Sequence, residues 1–225
     1  MNYTTCFFDL DGTLTDSSPG IKNGLREMIT HLGYPVPDDT ELNSWIGPPI
    51  HEKLASTFSV TGPRAVEAVE VFREYYSQQG YRENRLYEGI PELLESLRTH
   101  GLDLVIATSK PTEHAMLVLD HFSLSPLFSS VYANSLDDRR PTKSDVIRHA
   151  ITSHRLEERK EQIVMIGDRS HDLCGAAENG IDAIGVLYGF AQPGEFDACS
   201  PKALVEHPAQ IVDYLNTPGG QYGIL

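Results

Sequence analysis

The sequence predicts an α/β protein built on a doubly wound parallel sheet, with an all-helical segment inserted after the first strand. Three observations carry this. An apolar, β-prone run, Thr4 to Phe8, ends in the acidic pair Asp9 and Asp11. From Leu86 onward, short apolar runs alternate with helical patterns, which implies parallel strands covered by helices on both faces. Between these stretches, residues 15–85 read as helical and strand-poor.

The elements follow in order. Residues 4–9 form the first strand. Ser18-Pro19-Gly20 starts a helix, with Ser18 as cap and Pro19 in the first turn. It runs to about Leu32 and stops at Gly33, with Pro35 and Pro37 beyond. Short helical pieces follow at Leu42–Trp45 and Ile50–Phe58, split by Ile46-Gly47-Pro48-Pro49. Thr61-Gly62-Pro63 opens a longer helix through Gln79. Its apolar set, Val66, Val69, Phe72, Tyr75 and Tyr76, recurs at helical spacing and reads as core packing. Gly89-Ile90-Pro91 opens a helix ending at His100-Gly101. Strands at 104–107, 131–133, 163–166, 183–186 and 203–205 are interleaved with helices at 111–122, 143–153 and 170–179. A final helix spans 208–215, before a Gly-rich tail, 217–225, expected to be loosely held. The predicted domains are a core of residues 1–16 and 86–225 and a helical domain of residues 17–85.

The composition is that of a globular protein, with 40% hydrophobic and 22% charged residues in 225. No apolar run is long enough to span a bilayer and the N-terminus does not read as a signal peptide, so a cytoplasmic location is expected. The formal charge of −14 argues against binding of nucleic-acid polymers. It would also repel an anionic substrate. A phosphate site here therefore needs local positive charge from a divalent metal, a lysine and oriented N–H groups. Cys6, Cys174 and Cys199 are odd in number and scattered, which argues against a disulfide framework.

Four segments carry candidate chemistry. In the first, Asp9 and Asp11 stand two residues apart at a strand end, where side chains i and i+2 point the same way. One carboxylate can attack while the other handles protons. The competing reading is a plain Asp11-Gly12 turn. In the second, Ile106-Ala107-Thr108-Ser109-Lys110, Thr108 and the N–H groups after it suit a phosphate, or else Thr108 or Ser109 caps the next helix. In the third, Arg139-Arg140-Pro141-Thr142-Lys143-Ser144-Asp145, Lys143 falls at a helix N-terminus. The dipole disfavours a cation there, so a partner such as Asp9 and a bound phosphate is implied; a solvated surface lysine is the alternative. In the fourth, the strand Ile163–Ile166 delivers Gly167 and Asp168, and Asp172 follows one turn later. Carboxylate oxygens suit Mg²⁺, although both residues could cap the helix.

The order Asp9-x-Asp11-Gly12-Thr13, Thr108, Lys143 and Gly167-Asp168-x-x-x-Asp172 resembles the haloacid dehalogenase superfamily over essentially the whole chain. The chain looks like its phosphoglycolate phosphatase-like group, with a Rossmann-like core and a small helical cap. Ile46-Gly47-Pro48-Pro49 is more like the 5′-nucleotidase branch. Gly185-Val186-Leu187-Tyr188-Gly189-Phe190 also looks like that group, although Ala191 stands where many relatives carry glycine. The resemblance implies Asp9 as nucleophile and Asp11 as acid and base. It implies Mg²⁺ held by Asp9, the Asp11 carbonyl, Asp168 and Asp172. Thr108, the Ser109 N–H and Lys143 would neutralise the phosphoryl group.

Substrate choice is expected in the cap, with Trp45, Ile46, Gly47, Pro48 and Pro49 as candidates and His51, Lys53 and Arg82 nearby. Trp45 stacks on a base or, the commoner fate, packs in a core. The expected activity is Mg²⁺-dependent hydrolysis of small phosphomonoesters, with nucleoside 5′-monophosphates first. 2-Phosphoglycolate hydrolysis, a phosphosugar mutase and a catalytically silent binding protein are the alternatives. A small phosphorylated metabolite is the expected partner, without nucleic acid or membrane, for a monomer or homodimer.

Overall fold

The computed structural model describes residues 3–47, 49–134 and 141–216. In chain order, the elements open with β1 (Thr5–Phe8), β2 (Thr15–Asp16), α1 (Ser18–His31), α2 (Asp39–Asn43), α3 (Ile50–Phe58) and α4 (Gly62–Gln78). Then come β3 (Arg85–Leu86), α5 (Ile90–Thr99), β4 (Asp103–Pro111), α6 (Thr112–His121) and β5 (Ser130–Asn134). The last are α7 (Lys143–Ser153), β6 (Ile163–Gly167), α8 (Ser170–Asn179), β7 (Asp182–Val186), β8 (Ala203–Val205) and α9 (Ala209–Asn216). The chain divides into two compact units, one running to Asp16 and resuming at Leu86, the other Ser17–Arg85.

The first unit is built on a parallel sheet of order β5-β4-β1-β6-β7-β8. The predicted α/β fold, a Rossmann-like parallel sheet, is the one observed. Phe8 pairs in register with Ile106 on one side and Ile166 on the other. The sheet is apolar on both faces because helices cover both. Phe7, Val105 and Met165 pack with Val146, Ile147 and Ala150 of α7 and Leu173 and Ala176 of α8. The intervening Cys6, Phe8, Ile106 and Ile166 point the other way and are equally buried. The chain enters and leaves this unit at neighbouring points, since the Tyr87 N–H donates to the Leu14 carbonyl at 3.2 Å.

The second unit packs Leu25, Met28 and Ile29 of α1 against Ala65, Ala68, Val69, Phe72 and Tyr76 of α4. α1 and the turn after α4 touch backbone to backbone. A Cβ on Gly20 would lie 2.0 Å from the Gly80 carbonyl oxygen. Gly20→Ala is therefore expected to destabilise by about 3 kcal/mol, the upper part of the overpacking range, because backbone cannot step aside. Urea unfolding would check this; a loss below about 0.5 kcal/mol contradicts the packing.

Several local expectations are corrected. The α1 cap is Ser17 rather than Ser18, and it makes no side-chain cap bond. α2 starts earlier than expected because the Asp38 side chain accepts from the Glu41 N–H at 2.9 Å. Val66 is 54% exposed, and Ala65 and Ala68 take its place in the packed face. β4 runs on to Pro111 with a register shift after Ala107, so α6 begins at Thr112 and neither Thr108 nor Ser109 caps it. Cys174 and Cys199 form a disulfide, with Cα atoms 4.8 Å apart, against the expectation of none. They are distant in sequence, but the segment after β7 folds back over α8. Such bonds persist mainly in oxidising compartments, which runs against the cytoplasmic expectation. No described helix is long and apolar enough to cross a membrane. Pro48, Arg139, Arg140 and the tail from Thr217 lie outside the described residues.

Candidate active site

The strand order reverses beside β1: the chain runs outward through β4 and β5, then returns to place β6 on β1's other side. Ligands of open α/β sheets gather at such a reversal, outside the carboxyl ends of the strands. Asp9 follows β1 there and Asp168 follows β6. The Asp9 N–H donates to the Ile166 carbonyl at 3.0 Å, so strand pairing carries on to the acid itself. α8 then turns Asp172 back towards both. Carboxylate oxygens of Asp9, Asp168 and Asp172 all lie within 4.8 Å of one another, and all three residues are buried.

Lys143 opens α7 and reaches into this cluster. Its Nζ lies 2.9 Å from Asp9 Oδ1 and 2.8 Å from Asp172 Oδ1, and donates to the Ala107 carbonyl at 3.0 Å. The side chain is 1% exposed. Thr142 and Asp145 form a capping box that fixes where α7 begins, and so where the lysine starts. Burial opposes the charge on Lys143, but Asp172 and Asp9 outweigh it and raise its pKa. Burial likewise opposes ionisation of Asp9, yet Lys143 and the Thr108 hydroxyl hold it below the usual carboxylate range. Burial raises Asp172, and Lys143 only partly offsets this.

Asp168 is placed differently. Its Oδ1 accepts from the Thr13 hydroxyl at 3.2 Å and its Oδ2 from the Phe190 N–H at 2.8 Å. These are neutral donors. Burial, and then the charges of Asp172 and Asp9, push its pKa well above the ordinary value. The cluster thus has more negative charge than its lysine balances. Three buried hard oxygen donors in this state suit a divalent cation such as Mg²⁺. The approach is close enough to demand Gly12, whose φ is +85°; a Cβ there would stand 2.0 Å from Asp168 Oδ2.

Asp11 stands on the turn after β1, pinned by a bridge to Thr15 and by the Gly12 N–H to the Thr15 carbonyl, 2.7 Å. Lys110 Nζ donates to both its carboxylate oxygens, at 3.0 and 2.8 Å. Thr108 is buried beside Asp9, and its Oγ1 accepts from the Lys110 N–H at 3.2 Å. Ser109 lies between them on the exposed side. The structure thus brings together Asp9, Asp11, Thr108, Lys143, Asp168 and Asp172. Trp45 and Ile46 are buried, and Trp45 packs in the core of the helical unit 6.0 Å from the Phe58 ring; the core-packing reading applies and base stacking does not. Gly47 has a positive φ and Pro49 precedes α3.

Sequence reasoning missed Lys110, Thr13 and Glu195. Glu195 lies after β7, in an irregular segment with no periodic signal. It accepts from Arg169 Nε at 2.8 Å, the Ser170 N–H at 2.9 Å and the Gln192 N–H at 2.9 Å. Burial pushes its pKa up, but the Ser170 and Gln192 amides and Arg169 outweigh that and bring it from 4.5 to about 2. A depressed carboxylate stabilises the fold above its unfolded pKa and loses that contribution as pH falls through its folded one. Glu195→Gln is therefore expected to be less stable than the parent at pH 7. The gap should narrow between about pH 4.5 and about 2. Denaturant unfolding at pH 7 and pH 3 would show it, and a gap that widens in acid contradicts it.

The fold matches a known class. Residues 6–186 fit the family model described as haloacid dehalogenase-like hydrolase, and the chain belongs to that family. It is an enzyme of the family's phosphatase kind. A 5′-nucleotidase of Pseudomonas aeruginosa is 42% identical over 201 residues, 89% of this chain and 90% of that one. The tyrosine-protein kinase PtkA of Mycobacterium tuberculosis is 41% identical over 204 residues, 91% of this chain and 68% of the other. A haloacid dehalogenase-like family hydrolase from Streptococcus pneumoniae superposes with a TM-score of 0.87 at 32% identity, covering 96% of this chain and 99% of the other.

Proposed function

We propose that this phosphatase hydrolyses small phosphomonoesters with Mg²⁺, nucleoside 5′-monophosphates first. The observation behind the chemistry is the juxtaposition of Asp9 and Asp11, each with its own lysine, at the reversal point of the sheet. The nucleotide preference draws support from the 5′-nucleotidase relative. Asp9 attacks phosphorus; the bond from phosphorus to the ester oxygen breaks, and Asp11 gives that oxygen its proton. The product is an aspartyl-phosphate on Asp9. Asp11, now a carboxylate, takes a proton from water as that water attacks the phosphorus. The bond to Asp9 then breaks, releasing inorganic phosphate. Lys143, Thr108 and the Ser109 N–H offset the charge of the phosphoryl group. Asp9, Asp168 and Asp172 would hold the metal, which would supply further positive charge to the phosphoryl oxygens.

The core groups all address phosphate or metal, so the helical unit is assigned the role of a cap that selects the rest of the substrate. Closure of such a cap would exclude water. A small phosphorylated metabolite is the proposed partner, for a protein acting as monomer or homodimer. A second reading is favoured by the likeness to PtkA: transfer of the phosphoryl group to a protein tyrosine instead of to water.

The test is phosphate release with Mg²⁺ and with chelator, across nucleoside monophosphates, 2-phosphoglycolate, sugar phosphates and pyrophosphate. Chelator is expected to abolish release, and nucleoside monophosphates to lead. Preference for 2-phosphoglycolate would replace the substrate assignment. A phosphate moved to a second hydroxyl without release would mark a mutase or kinase. No metal-dependent reaction at all would mark a silent binding protein.

A further inference from the structure

We infer that Lys110 is a positioning residue that fixes the Asp11 carboxylate for proton transfer to the leaving oxygen. This rests on the acid role proposed for Asp11. The two acids after β1 have separate cations. Lys143 serves Asp9 and Asp172, whereas Lys110 meets both oxygens of Asp11, at 3.0 and 2.8 Å. The lysine side chain is 5% exposed and the aspartate 21%.

A pair this buried is a poor device for stability alone, because desolvating two charges offsets most of their attraction. It is a good device for orientation. The Asp11 backbone is fixed by its turn, but its carboxylate would otherwise rotate about two side-chain bonds. Lys110 is anchored in turn. It projects from β4, which pairs with β1, and its N–H is tied to the Thr108 hydroxyl. The strand that delivers Thr108 to the phosphoryl group thus also aims the acid. When Asp11 carries its proton, Lys110 can donate to the unprotonated oxygen, which leaves the O–H on the other oxygen for the ester. Lys110 itself exchanges no proton in this scheme. Small misplacement of a catalytic group is costly in rate.

Leaving-group dependence separates positioning from a structural role. Single-turnover release of the leaving group is compared in the full-length, Mg²⁺-loaded enzyme for a nucleoside 5′-monophosphate and p-nitrophenyl phosphate. The alkoxide of the first must be protonated as it leaves; p-nitrophenolate leaves as an anion. Lys110→Met is expected to slow the nucleotide by about 10²-fold, the low end of a general-acid contribution, and the aryl ester by less than about threefold. Asp11→Asn should show the same asymmetry, and the double variant should lose no more than Asp11→Asn alone. Lys110→Arg should recover much of the nucleotide rate. If Lys110→Met does not fold, Lys110→Gln compared with Lys110→Arg reads the same asymmetry. Equal slowing of both esters by the lysine variants, with asymmetry kept in Asp11→Asn, overturns the role of Lys110. No asymmetry in Asp11→Asn removes the acid itself, and the inference with it.

Discussion

Asp9→Asn is expected to remove turnover by about four orders of magnitude or more, the scale on which loss of a covalent nucleophile is felt. The amide has nearly the shape of the carboxylate and can still accept from the Thr108 hydroxyl, so the fold should survive. What disappears is the anionic oxygen that bonds to phosphorus. Phosphate release in saturating Mg²⁺ reads the loss, and acid-quenched enzyme treated with labelled substrate should carry no phosphate on the variant. Near-parent activity would sink the assignment of Asp9. Partial activity with phosphate still trapped on protein would move the nucleophile to another residue.

Lys143→Met should affect both stability and rate. Methionine fills much of the lysine's volume but takes away the cation that meets both Asp9 and Asp172. Removing one partner of a buried ionic group costs about 3–5 kcal/mol, because the remaining charges stay desolvated. Urea unfolding in chelator should show a loss of that size. With Mg²⁺ present, phosphate release should fall by about 10²-fold or more, since a charge aimed at the phosphoryl group is gone. A stability loss under about 1 kcal/mol would mean that the three carboxylates are relieved by something other than the lysine.

Much of this site is legible in the sequence because its members sit at element ends. Asp9 and Asp168 close apolar runs, and a parallel sheet with both faces covered leaves few other places for acids that follow buried strands. Lys143 is legible through a contradiction: a cation at a helix start implies an anion nearby, and the structure supplies Asp9 and Asp172. Lys110 was visible in the strand-end segment, but nothing local ties it to Asp11, 99 residues away. The Cys174–Cys199 bond was hidden for a similar reason. Its two residues lie 25 positions apart, and only the fold-back after β7 joins them. Val66 shows a different failure. Periodicity gives the direction of a helix face, but its edges depend on what packs there, and here Ala65 and Ala68 are buried while Val66 is exposed.

The hydrogen bond between Tyr87 and Leu14 has a consequence for how such a protein can diversify. The two ends of the catalytic body flanking the helical unit stand one hydrogen bond apart. A linker of about two to five residues could join them as a hairpin does. The helical stretch is therefore tethered as an interchangeable part. Lineages could exchange, enlarge or shorten it, and so change the molecules admitted, while the acids and lysines that cleave the phosphate ester keep their places.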